Sequence, residues 1–142
     1  MKTIDRRKKM KKLFLLLFLF STPAFTASLS VLDEAEQMGT IGGLAEACQA
    51  KDKLDIYELI AVRLIANKSH SEEEEREGYN RYAAEKLNAM REHRSNPKMT
   101  CNEILNHFNK LPIFKSIVYQ DGSLKMYDGT FYPARGIYTK KK

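Results

Sequence analysis

Residues 54–68 read LDIYELIAVRLIANK and carry the strongest apolar helical pattern in the body of the chain. Apolar side chains recur there at steps of three and four, which is the spacing of one helix face. Only Glu58 and Arg63 interrupt the stripe between residues 56 and 65. The pattern predicts a deeply buried helix with a core face of Ile56, Leu59, Ile60 and Leu64, widened by Tyr57, Ala61 and Ile65.

A second helix is predicted on the N-terminal side, over residues 31–50. Its apolar residues also recur at steps of three and four, and Cys48 falls on the buried side. Gly39, Gly42 and Gly43 lie inside this pattern, where glycine is unfavourable. The glycines therefore either break the helix or allow a second backbone to approach it closely.

Two more helices are predicted on the C-terminal side, over residues 72–94 and 101–110. Each begins with a capping box, in which a hydroxyl and a carboxylate bind each other's backbone amides: Ser71 with Glu74, and Thr100 with Glu103. The run of glutamates at 72–75 suits the positive end of a helix dipole, so we expect a solvated helix start rather than a cation site.

The apolar period changes from about 3.6 to 2 after Pro112. Residues 115–132 are rich in β-branched and aromatic side chains, and Asp-Gly pairs occur at 121–122 and 128–129. Such pairs favour tight type I′ hairpin turns. We predict a β-hairpin or a three-stranded meander, and hence a mainly α, α+β fold with about four helices.

The first 28 residues have the organisation of a cleaved secretory signal peptide. Basic residues extend to Lys12, LFLLLFLF follows at 13–20, and STPAFTAS follows that at 21–28. Cleavage is expected after Ala24, Ala27 or Ser28, which leaves a single mature domain. The eight apolar residues would span about 12 Å as a helix, against a hydrocarbon core of about 30 Å, so an uncleaved membrane anchor is the weaker alternative.

The mature domain is predicted to have a helical body at 29–111, a β-tail at 112–135 and a basic end at 136–142. The chain has 24 Lys and Arg against 18 Asp and Glu, but seven of the basic residues lie in the leader. Residues 28–142 are therefore electrically balanced, with 17 residues of each sign. This balance argues against a nucleic-acid partner.

Cys48 and Cys101 are the only cysteines. An even number in an exported protein predicts a disulfide. Its loop of 54 residues, counted with both ends, corresponds to about 4 kcal/mol of stabilisation by chain entropy. A reactive thiol or a metal site is the alternative, but the chain has no CxxC motif and no histidine at a ligand spacing from either cysteine.

No pattern of catalytic or cofactor-binding residues stands out. The chain lacks a GxSxG elbow, an HExxH helix and a phosphate-binding loop. We therefore predict no cofactor, no metal site and no catalytic residue. His70 is expected to be a loop or cap residue at a helix start, and His93 lies near the end of the same predicted helix, where a cation suits the dipole. Asn67-Lys68-Ser69 matches a glycosylation sequon, a pattern too short to be specific.

The predicted β-tail is the best candidate for a binding surface. Residues 110–142 hold seven basic and two acidic side chains, whereas residues 28–109 hold ten and fifteen. Basic and aromatic side chains interleave there, which suits an acidic protein, an anionic surface or a glycan. The candidate binding residues are Lys115, Tyr119, Lys125, Tyr127, Phe131, Tyr132 and Arg135.

Together these features predict an exported bacterial protein, periplasmic or secreted, without a membrane span after cleavage. It would act by binding a protein or an anionic envelope component rather than by catalysis. Two alternatives remain open from the sequence: a small hydrolase of cell-wall or host polymers, and a periplasmic immunity or inhibitor protein.

Overall fold

A computed structural model describes residues 30–135, so the predicted leader and the basic end at 136–142 lie outside the described residues. The helices are α1 (Val31–Ala47), α2 (Lys51–Lys68), α3 (Glu72–Ser95) and α4 (Cys101–Asn109). A 3₁₀ turn (Pro112–Lys115) leads into three short strands, β1 (Ile117–Val118), β2 (Leu124–Lys125) and β3 (Phe131–Tyr132). The predicted mainly α, α+β fold is confirmed.

The glycines of α1 bring this helix into close contact with α3. A Cβ at Gly39 would clash with the backbone oxygen of Tyr82, and a Cβ at Gly43 with that of Lys86. The second contact lies four residues closer to the C-terminus than the first in both helices, so α1 and α3 run parallel. The helix is continuous through its glycines. The glycines therefore do not break the helix but allow a second backbone to approach it closely, which was the second predicted alternative.

Helix α2 buries most of the predicted core residues but not all of them. Tyr57 and Ile60 lie in the core, but Ile56 and Leu59 are 49% and 51% exposed, and their assignment to the core was wrong. Apolar residues cover most of the circumference of this helix, so their spacing alone did not fix the buried side. Tyr57 can be buried because its hydroxyl donates to the backbone oxygen of Met38 at 3.0 Å.

The starts of α3 and α4 match the predicted caps to different degrees. Both capping-box bonds are present at Thr100 and Glu103. Ser71 caps α3 by accepting from the Glu74 amide, but the Glu74 carboxylate accepts from the backbone N–H of His70 instead of Ser71. The glutamate run is also not wholly solvated, because Glu75 is buried and accepts a 2.7 Å hydrogen bond from the Tyr79 hydroxyl.

The strands form an antiparallel sheet in the order β1-β2-β3, which confirms the predicted meander. The predicted type I′ turns are wrong. Gly122 and Gly129 have φ values of 88° and 89°, whereas neither preceding aspartate has a positive φ. Each turn is a three-residue loop closed by a left-handed glycine, a geometry that accommodates the sheet twist through a bulge.

The sheet shares the core of the helices. Leu124 is fully buried. The Asn67 side chain donates to the Gly122 oxygen at 2.9 Å and accepts from the Arg135 amide at 3.1 Å. The buried Asn67 side chain therefore links α2 to the loops of the sheet by hydrogen bonds. Since this amide is the acceptor of the sequon, the sequon has no exposed acceptor.

Candidate functional site

The two cysteines meet where three helix ends converge. Cys48 directly follows α1, and Cys101 is the first residue of α4. They form the predicted disulfide, with a Cα–Cα distance of 5.3 Å. The cross-link joins the end of the first helix to the start of the last one.

The structure adds a histidine that the sequence did not assign to this place. His93 Nε2 lies 3.8 Å from Cys48 Sγ and 3.6 Å from Cys101 Sγ. His93 is near the end of α3, and the parallel packing of α3 on α1 carries its ring to both sulfurs. The sequence analysis considered only ligand spacings along the chain, so it could not find this neighbour. We call Cys48, His93 and Cys101 the cysteine corner.

The cysteine corner has one apolar wall and one accessible side. Cys48 is buried with Leu44, Ala89 and Ile104, whereas His93 and Cys101 are half-buried. Three potential ligand atoms of the corner, two sulfurs and one ring nitrogen, lie within 4.8 Å of one another. Sulfur in a disulfide is a poor ligand, so metal chemistry at this place requires the two thiolates.

A second candidate site lies on the solvent side of the sheet. Ile117, Lys125 and Phe131 are directly paired across the three strands, and all three are exposed. Tyr119 extends this row, with its ring centroid 6.4 Å from that of Phe131. We call these four residues the outer sheet face. Ile117, Tyr119 and Phe131 are 49%, 42% and 55% exposed.

The remaining candidate binding residues are placed elsewhere or are less exposed. Tyr132 is on the opposite side of the sheet, where it packs against the core and lies 5.7 Å from the Lys68 ammonium. Tyr127 is half-buried, while Lys115 and Arg135 are exposed. The structure therefore brings Tyr119, Lys125 and Phe131 together and adds Ile117, which the sequence analysis missed because its signal was only β-propensity.

Two charged side chains elsewhere in the described chain, the buried Glu34 and the half-buried Lys86, have structural partners on other helices. Glu34 on α1 accepts from Lys68 on α2 at 2.6 Å, and burial raises the pKa of its carboxyl although Lys68 acts to lower it. Lys86 on α3 binds Glu46 at 2.6 Å and Glu58 at 2.9 Å. Burial, and then the neighbouring Glu58, raise the pKa of the Tyr82 hydroxyl. These pairs link the three long helices.

The fold and the two sites define a small α+β domain with one cross-link and one exposed apolar-basic sheet face. Among residues 30–135, no helix is long and apolar enough to cross a membrane. Comparison with known protein families, curated proteins and solved structures gives no match for this chain. The functional argument therefore depends on the geometry of the outer sheet face and the cysteine corner.

Proposed function

We propose that this chain is an exported binding protein of the bacterial envelope, or one secreted beyond it, that acts without catalysis. Its outer sheet face would contact an acidic protein partner. One observation carries this proposal: three large apolar side chains and a lysine share the solvent side of a sheet whose other side is packed into the core.

The composition of this face suits a protein interface. Aromatic residues are enriched in interfaces because they bury a large area with few rotatable bonds. Phe131 and Tyr119 would supply that area, and Ile117 would extend it. An exposed apolar cluster of this kind costs solvation free energy in the isolated protein, and a partner that covers it recovers this free energy.

Charge favours an acidic partner. Lys125 lies between Ile117 and Phe131 in the cross-strand row. Residues 110–142 have a net charge of +5, whereas residues 28–109 have a net charge of −5. A partner with exposed carboxylates would be attracted to the C-terminal part of the chain and repelled by the residues before it, which orients the encounter.

Export is supported by the leader pattern and is compatible with the disulfide. All three expected cleavage positions precede Ser30, whose hydroxyl accepts from the Asp33 amide and caps α1. Removal of the leader would therefore leave the first helix with its cap. Mass spectrometry of the native protein is expected to find Phe25, Ser28 or Leu29 at its N-terminus. An intact Met1 in the isolated native protein would contradict this part of the proposal.

The binding surface can be tested with point variants that leave the core in place. The oxidised mature protein would be used to capture partners from an envelope extract, and the captured protein would then be purified for affinity measurements. We expect Phe131→Ser and Lys125→Glu each to weaken binding at least about tenfold, which corresponds to about 1.4 kcal/mol. Added salt is expected to weaken binding further.

Leu59→Ser is the matched control, because Leu59 is as exposed as Phe131 but lies on α2. It is expected to bind like the wild type. Equal affinity of all three variants would reject the outer sheet face, and a loss confined to Leu59→Ser would move the surface to α2. Sedimentation with anionic phospholipid vesicles, without capture of any protein, would identify a lipid surface and contradict the protein partner.

A further inference from the structure

We propose that the cysteine corner binds a zinc ion when its disulfide is reduced, with Cys48, Cys101 and His93 as the protein ligands. This inference is independent of the proposed binding function. It starts from the placement of one imidazole nitrogen beside both sulfurs, at 3.8 Å and 3.6 Å.

The distances are close to those of a tetrahedral zinc site. With Zn–S bonds of about 2.3 Å and Zn–N bonds of about 2.05 Å, tetrahedral angles require a sulfur–nitrogen separation of about 3.6 Å. Both observed separations lie within about 0.2 Å of that value. The two sulfurs would have to separate to about 3.8 Å once the bond between them is broken. Rotation of a cysteine side chain about its Cα–Cβ bond would have to provide this movement.

The types of ligand atom favour zinc over magnesium and calcium. Two thiolates and one imidazole are the ligands that zinc prefers, whereas magnesium and calcium require oxygen ligands. Three protein ligands leave a fourth position for water, as in open zinc sites. That position is available on the solvent side, because His93 and Cys101 are only half-buried.

Helix α4 supports the charged form of one ligand, and the packing of α1 against α3 holds the other two in place. Cys101 is the first residue of α4, and the positive end of a helix dipole stabilises a thiolate there. Cys48 and His93 are held by the close contact of α1 with α3, where Gly43 meets the Lys86 backbone and Ala89. Preorganised ligands lower the entropy cost of metal binding.

The redox state of the two cysteines would control metal binding. A dithiol reductant gives two electrons and two protons to the Cys48–Cys101 bond, which becomes two thiols while the reductant becomes a disulfide. Zinc then replaces the two thiol protons, which pass to the solvent, and His93 donates its nitrogen lone pair. In the reverse step a disulfide oxidant takes two electrons from the two thiolates and, with two protons from the solvent, becomes a dithiol; the Cys48–Cys101 bond forms again and the ion is released.

Cobalt(II) provides a spectroscopic test, because its absorption reports both thiolate bonds and tetrahedral coordination. The protein would be reduced with a phosphine under anaerobic conditions and titrated with Co²⁺ and then with Zn²⁺. We expect one equivalent of Co²⁺ to give thiolate charge-transfer and tetrahedral d–d bands, and one equivalent of Zn²⁺ to remove them. The oxidised protein is expected to show neither band.

Two histidine variants test whether His93 is a metal ligand or only a neighbour of the cysteines. His93→Ala is expected to weaken Zn²⁺ binding by the reduced protein at least tenfold in competition with a chromophoric chelator. His70→Ala is the matched control, since His70 is exposed and outside the cysteine corner, and it is expected to bind like the wild type. Circular dichroism of each reduced variant reports whether the fold is present, and where reduction unfolds the chain, zinc is expected to restore its helical signal.

Three results would overturn the proposal. The first is octahedral Co²⁺ spectra or no bands in the reduced wild type. The second is a Zn²⁺ affinity that is the same with and without the His93 imidazole. The third is a reduced protein that unfolds and does not regain helical signal with zinc.

Discussion

At the scale of single residues, Glu34 couples the stability of the fold to pH. The residue is 4% exposed, and burial raises the pKa of its carboxyl even though Lys68 lies 2.6 Å away. The folded protein therefore holds this proton at pH values where the unfolded chain has already released it. The contribution of Glu34 to the free energy of unfolding accordingly falls as the pH rises from 4.5, the usual value, through the folded-state pKa.

Glu34→Gln removes the titrating proton and keeps the shape of the side chain. We expect urea unfolding of this variant between about pH 4 and pH 7 to show a weaker loss of stability with rising pH than the wild type. Glu36→Gln is the matched control, because Glu36 lies on the same helix and pairs with Arg81 at the surface. The prediction fails if the two variants have the same dependence on pH.

Single residues also show where sequence analysis reached its limit. The pattern around Val31, Ala35 and Met38 identified buried positions of α1 correctly, because polar residues occupy the other side of that helix. The same reasoning misplaced Ile56 and Leu59, because α2 is apolar on nearly every side. His93 could not be found in this way, since its relation to the cysteines depends on the register of two helices far apart in sequence.

At the scale of elements, the packing of α1 against α3 depends on the absence of a side chain at Gly43. An added Cβ would meet the Lys86 backbone oxygen and lie 2.8 Å from the Ala89 Cβ. We expect Gly43→Ala to lower the free energy of unfolding by about 1–3 kcal/mol, because overpacking is costly and outweighs a gain in helix propensity of about 1 kcal/mol. Urea unfolding monitored by circular dichroism measures the difference.

Thr40→Ala is the control for this substitution, because it also introduces alanine into α1, at a half-buried position. A change of no more than about 0.5 kcal/mol is expected there. If Gly43→Ala were as stable as the wild type, α1 and α3 would have room to separate, and the close backbone contact would not be a stabilising feature of the fold.

Local signals predicted the elements better than they predicted the contacts between them. The caps at Ser71 and Thr100 and the Asp-Gly pairs lie where α3, α4 and the turns begin, because each depends on a few neighbouring residues. The contact between the sheet and α2 depends on Asn67, whose partners are 55 and 68 residues away. No short pattern could indicate that contact, and the sequon that contains Asn67 carries no information about it.

At the scale of the whole molecule, the sheet is a part of the core and the outer sheet face is only its exposed side. Leu124 is fully buried, and Val118, Met126 and Tyr132 pack against the helical core. Deletion of the β-tail would therefore expose the core as well as remove the candidate surface. Point variants on the outer sheet face are the informative test, because they change the contact surface and leave the packed side intact.

The disulfide determines how much of the chain is constrained in the unfolded state. Its two cysteines are 53 positions apart, and the loop between them contains the whole of α2 and α3. We expect the double variant Cys48→Ser with Cys101→Ser to lose about 4 kcal/mol of stability in metal-free buffer, because the unfolded chain regains its loop entropy. Urea unfolding measures this loss against the oxidised wild type.

Single variants test whether the cross-link itself is the cause. Cys101→Ser is expected to lose about as much stability as the double variant, whereas oxidised His93→Ala keeps the bond and is expected to lose no more than about 1 kcal/mol. Since a total stability of about 5–15 kcal/mol is usual for a domain, a loss of about 4 kcal/mol can be measured without unfolding the protein in water. A double variant within about 1 kcal/mol of the wild type would show that the helical core, and not the covalent loop, supplies most of the stability of this fold.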